Sequence, residues 1–146
     1  MEIPGTVSQI LTTKGTAVFT TTPEASVFDA LTLMGEKNIG ALVVMEGDSV
    51  AGIFSERDYS RKVILQGKTS RNTQVGEILS RPAICIAPDD GIEECMKRMT
   101  LNRIRHLPVV DGGGAMLGMI SIGDLVRAVM EEQEELIVQL EKFISG

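Results

Sequence analysis

At 146 residues, with a net charge of −6, 43% hydrophobic and only 3% aromatic side chains, the chain can build one core or two small units sharing one. That core must come from Val, Ile, Leu, Met and Ala. Its Lys and Arg are scattered rather than striped, which argues against a nucleic-acid surface. The longest apolar run, IGALVVM from Ile39, falls far short of the roughly 20 residues a membrane span needs, and the acidic opening MEIPG lacks the regions of a secretion signal. A cytoplasmic protein with no membrane partner is expected.

The first element is a short helix in TVSQIL, with Val7, Ile10 and Leu11 apolar. A first strand follows Thr16 and Ala17. The Pro-led segment PEASVFDALTLM carries Val27, Ala30, Leu31 and Met34 at i, i+3, i+4 and i+7, the stripe of an amphipathic helix. NIGALVV is short and β-branched, a buried strand; EGDS is a turn; VAGIF is another strand. Ser55 then opens a helix whose apolar side is Tyr59, Val63 and Ile64.

After the connector QGKTSRNTQ the same order returns. QVGEIL answers TVSQIL through Val75, Ile78 and Leu79. AICIA reads as part of a buried strand. PDDGIEECMKRM places Ile92, Cys95, Met96 and Met99 on one helix stripe. RIRHLPVV, DGGGA and MLGMI give strand, turn and strand, and Ser121 opens a helix with Leu125, Val126 and Val129 inward. The chain is therefore a duplication. Residues 1–70 form the first repeat with its leading helix, 71–130 the second, and 131–146 a C-terminal helical extension. Units this small bury little alone, so the two are expected to pack together through their sheets.

The most specific echo is GIFSERD at 52–58 against GMISIGD at 118–124. Ser-x-x-Asp at a helix start fits a capping box. The same corner leaves free N–H groups that suit an anion, a Ser hydroxyl for phosphate, and an Asp able to accept from ribose hydroxyls. Both readings remain open, because they are compatible.

With GIFSERD, GMISIGD, NIGALVV, RIRHLPVVD and the two Pro-led helices, the chain resembles a tandem pair of cystathionine β-synthase (CBS) domains, a Bateman module of the stand-alone kind. The resemblance implies an α/β fold of two β-α-β-β-α units in pseudo-twofold arrangement, packed through their sheets, with two clefts between them. It implies an adenine nucleotide as ligand, AMP first, with ADP, ATP, NADH or S-adenosylmethionine as alternatives. In the first cleft it assigns Thr16, Ala17, Ile39 and Gly40 around the adenine, with Met119 in the same set. Ser121, Asp124 and Arg105 then meet ribose and phosphate. In the second it assigns Ser55, Arg57 and Asp58 with Pro82, Ala83 and Ile104. Gly123 stands where the first copy has Arg57, so the two clefts are not equivalent.

Several features tempt other readings. QGKTS ends like a phosphate-binding loop but has Lys62 where such a motif needs Gly, so it reads as a linker. GGG at 112–114 leads into a strand, not a helix, and reads as a turn. His106, the single His, is either a partly buried strand flank or a phosphate contact beside Arg103 and Arg105. Cys85 and Cys95 form no CxxC and read as core thiols, with no metal site. No nucleophile–base pair is visible, so no catalytic residue is assigned and a binding module, not an enzyme, is expected. The stripe Leu136, Ile137, Leu140, Phe143 and Ile144 either packs on its own chain or joins subunits into a homodimer. The function expected is regulation of an unknown partner protein by nucleotide occupancy. A dimeric interaction protein with empty clefts is the competing reading.

Overall fold

A computed structural model describes residues 4–79 and 81–145; residues 1–3, read above for a secretion signal, lie outside it. The elements run α1 (Val7–Lys14), β1 (Thr20–Thr21), α2 (Val27–Lys37), β2 (Ala41–Glu46), β3 (Ser49–Ser55), α3 (Glu56–Tyr59) continued by a π-helical turn (Ser60–Ile64), α4 (Val75–Ile78), α5 (Ile92–Asn102), β4 (His106–Val110), β5 (Met116–Ser121) and α6 (Ile122–Ser145). This is the duplicated α/β order read from the sequence, except that no strand lies between α4 and α5.

Local chemistry starts the first two helices. Thr6 and Gln9 form a capping box on α1, and Ser26 caps α2 through the Asp29 amide. The matched stripes bury Val27, Ala30 and Met34 in α2 and Ile92, Cys95 and Met99 in α5. Both helices end in a left-handed residue, Asn38 and Arg103, each with φ 54°. In the second hairpin Asp111 Oδ1 accepts from the Gly113 and Ala115 amides, and Gly114 adopts φ 85°, so GGG is indeed a turn.

The sheets are β1-β2-β3 and β4-β5. Their hairpins share one register: Ala41 pairs with Ser55 and His106 with Ser121, so each Ser stands at the same corner. AICIA, by contrast, is not a strand. Only Ile86 bridges Val109 in parallel, through Ile86 N to Pro108 O and Val110 N to Ile86 O. The next rung would need an N–H from Pro108, which proline lacks. The equivalent residue in the first half, Val43, pairs with Thr20 and completes β1.

The two cores exchange their leading helices. Val7 and Leu11 of α1 lie in the core of the second repeat, with Ile92, Met99, Leu107 and Ile120. Val75, Ile78 and Leu79 lie in the core of the first, with Val27, Leu42 and Phe54. Neither half can complete its core alone, which makes the pair one unit. Two inward assignments change. The i→i+5 bond from Leu65 N to Ser60 O rotates the chain so that Val63 is buried while Ile64 is 54% exposed. Val126 is 53% exposed, because Leu125 beside it takes the core position. No helix among the described residues is long and apolar enough to cross a membrane.

Candidate functional site

Both Ser-x-x-Asp corners act as caps. Asp58 N donates to Ser55 Oγ at 3.2 Å, while Asp58 Oδ2 accepts from Ser55 N and Ser55 Oγ, each at 3.0 Å. Asp124 N donates to Ser121 Oγ at 3.2 Å and Ser121 N donates to Asp124 Oδ2 at 2.8 Å. Both carboxylates are buried, and the bonds hold them in place.

The corners differ in what faces them. Against Ser55 opens a cleft of about 790 Å³, within the size range of small-molecule sites. Ser55, Arg57 and Asp58 line it together with Pro82, Ala83 and Ile104. These are the six residues the resemblance groups in the second cleft. Glu56, Arg61, Lys62, Arg103, Arg105 and His106 also line it. Five cations thus surround two carboxylates in a protein whose net charge is −6, so the cleft is a local positive field able to attract an anion. Arg57 Nη1 donates to Arg103 O at 2.9 Å across the two halves, and Lys62 Nζ pairs with Asp58 Oδ1 at 3.1 Å.

Gly40 and Arg105, assigned from the resemblance to the first cleft, line this one instead. The register explains it. Gly40 precedes Ala41, the partner of Ser55, and Gly40 O accepts from Glu56 N at 3.1 Å. Arg105 sits between the corners: its carbonyl accepts from Ile122 N at 2.9 Å, while the residue borders the Ser55 cleft. His106, half-buried, is the first residue of β4 and lines the cleft with Arg103 and Arg105. Burial first, then the Lys14 and Arg105 charges, hold its imidazole below the usual pKa, against the opposing pull of Asp124.

Facing Ser121, the chain delivers a cation. Lys14 Nζ donates to Asp124 Oδ2 at 2.6 Å and to Met119 O at 2.7 Å. Arg127 Nη1 stands 3.6 Å from Asp124 Oδ1. Burial raises the Asp124 pKa, but the Lys14 bond and charge with the Ser121 bonds outweigh it, and the carboxyl is held below its ordinary value. Asp124 lines a smaller groove of about 430 Å³ between α1 and α6. Thr16, Ala17, Ile39, Met119 and Ser121 line neither cavity. Thr16 and Ala17 follow α1 after Gly15, and what α1 brings to this corner is the Lys14 ammonium.

Lys14, Arg61 and Lys62 were missed from sequence, whereas Arg103, read beside His106 at the strand start, does line the Ser55 cleft. Arg61 and Lys62 follow Asp58 at i+3 and i+4, which was a readable signal; Lys14 lies 110 residues from Asp124 and left none. Among the described residues no group of three His, Cys, Asp or Glu could hold a metal ion.

The family model for the CBS domain matches residues 7–64 and 75–131. The chain belongs to the CBS-domain family. It is 41% identical over 97% of its length, and 72% of the relative's, to the mitochondrial CBS domain-containing protein CBSX3 of Arabidopsis thaliana. Its structure is similar to a protein with CBS domains from Burkholderia ambifaria MC40-6, at 48% identity and TM-score 0.84, covering 88% of this chain and 96% of that one. The fold is also that of the CBS domain pair of protein MJ0100, solved with 5-methylthioadenosine and S-adenosyl-L-methionine, at 24% identity and TM-score 0.74, covering 84% and 94%. The CBS fold and the pairing of two CBS domains in one chain thus match the sequence reading.

Proposed function

We propose that this CBS pair is a regulatory module that binds one adenine nucleotide, AMP first among AMP, ADP, ATP, NADH and S-adenosylmethionine, in the Ser55 cleft. Occupancy is then passed to a partner protein, as a dimer, in the cytoplasm. The observation that carries this reading is the positive cleft: Arg57, Arg61, Lys62, Arg103 and Arg105 around Ser55 and Asp58 in an otherwise acidic protein. Ser55 Oγ and the arginines would hold phosphate. Asp58 would exchange its Lys62 partner for the ribose hydroxyls. Pro82, Ala83 and Ile104 would pack on the base. A protein of the same fold was solved with adenosyl compounds, which agrees with a base-and-ribose ligand. Lys14, bonded to Asp124, would keep the Ser121 corner closed to the same ligand. In this reading the role is binding rather than catalysis.

The second reading, an interaction protein with empty clefts, draws on the fact that both Asp side chains already have partners in the chain. Titration calorimetry with AMP, ATP and NADH separates the two. Wild type is expected to bind one equivalent, and Asp58→Ala to lose about 1.5–3 kcal/mol of affinity with its charge-assisted bonds. Binding by none of the three leaves the second reading. Unchanged affinity in Asp58→Ala, with only a lower melting temperature, makes Asp58 a cap alone.

A further inference from the structure

α6 is 24 residues long, about 36 Å, and continues past the second CBS match, which ends at residue 131. Beyond that point its apolar side chains do not pack on the chain: Leu136, Ile137, Leu140, Phe143 and Ile144 are all exposed. The internal-packing alternative left open by the sequence therefore fails. The exposed positions follow a rule. Val126, Met130, Gln133, Ile137, Leu140 and Ile144 are separated by steps of 4, 3, 4, 3 and 4, the seam of a heptad repeat.

We infer that this seam is where two copies of the chain join, their α6 helices antiparallel about a twofold axis near residues 135–136. The antiparallel layers are Val126 with Ile144, Met130 with Leu140 and Gln133 with Ile137 of the other copy. The flanks decide the orientation, because they are unlike each other. Leu136 and Phe143 border the seam on one side; Arg127, Glu134 and Glu141 border it on the other. In a parallel pair each flank faces the opposite kind, so Leu136 would lie against the Glu141 carboxylate. In an antiparallel pair each flank faces its own kind: Leu136 meets Leu136 at the axis, and Arg127 meets Glu141 at both ends. Glu134 facing its own copy is the like-charged contact, and it lies on the exposed flank where water and salt screen it. The two Gln133 side chains sit one turn apart across the axis, and a single polar layer fixes register at some cost in stability.

This deepens the dimer reading above and is independent of nucleotide binding. Light scattering on the full chain at micromolar concentration is expected to give twice the 15.8 kDa chain mass. Ile137→Asp/Leu140→Asp, at two exposed positions, is expected to give the single-chain mass with the melting temperature of the module unchanged. For orientation, Met130→Cys and Leu140→Cys are made in a Cys85→Ser background and treated with a short bis-maleimide. The two variants mixed are expected to cross-link, and each alone is not. Met130→Cys cross-linking by itself means a parallel pair and overturns the inference. A dimer that survives Ile137→Asp/Leu140→Asp keeps the dimer and removes α6 as its seam. A wild-type monomer removes both.

Discussion

Replacing Lys14 by Met keeps the apolar stem and deletes the ammonium that holds Asp124. The bond is short, 2.6 Å, its carboxylate is buried at 8% exposure and its lysine side chain is one-third exposed. A charge-assisted bond of this kind contributes about 1.5–3 kcal/mol, and the partial exposure of Lys14 puts the expected loss toward the lower end, about 1.5–2 kcal/mol. Arg127 offers little compensation, at 3.6 Å and 68% exposed. For a chain of this size the melting temperature should fall by roughly 4–8 °C. The pH dependence identifies the cause. Asp124 is held below its ordinary pKa in the folded protein, so its stabilisation is fully present above the unfolded carboxylate value of about 3.9. It is lost as pH falls through the lower folded value. The gap between wild type and Lys14→Met should thus be constant near neutrality and close in acid. Calorimetry on the same variant tests the closed corner: wild type is expected to take one AMP per chain, and Lys14→Met a second, weaker one. A melting temperature equal to wild type at pH 7, or two equal sites in wild type, would refute the reasoning.

Three further outcomes are expected. A methyl group on Gly118 would approach Leu11 Cδ2 to 2.8 Å; Gly118→Ala should therefore destabilise by about 1–3 kcal/mol through overpacking of α1 on β5, and by much less when Leu11→Ala is already present, as read by urea denaturation. His106 is held below its usual pKa, so the unfolded chain takes up its proton first. Stability should drop as pH falls below about 6.5 until the folded value is reached, and His106→Asn should flatten that slope. Burial, then Asp90, push the Cys95 thiol up to about 11, and burial raises Cys85 against the pull of Arg98. In the native protein at pH 8, Ellman's reagent should titrate Cys85 slowly and reach Cys95 only on unfolding; rapid release of two equivalents would contradict this.

The periodicities of the chain were enough to read the duplication, the two buried helix stripes, the matched hairpins and both Ser-x-x-Asp caps, because each depends on contacts within a few residues. The shortened edge strand was not legible: AICIA reads as a buried strand, and only the register that sets Ile86 between Pro108 and Val110 shows that the next rung would need the N–H that Pro108 lacks. The grouping of Ser55, Arg57 and Asp58 with Pro82, Ala83 and Ile104 came through the family resemblance. What required the tertiary structure were the long-range events. Packing, not spacing, sends α1 into the second core and α4 into the first. It draws five scattered cations into one cleft and brings Gly40 and Arg105 to the Ser55 side. It also sets Lys14 on Asp124, 110 residues away. A helix stripe states that a face must be covered but not by which partner, since burial is non-directional, and a charge shows its sign in a sequence but not which opposite charge the fold brings within bonding distance.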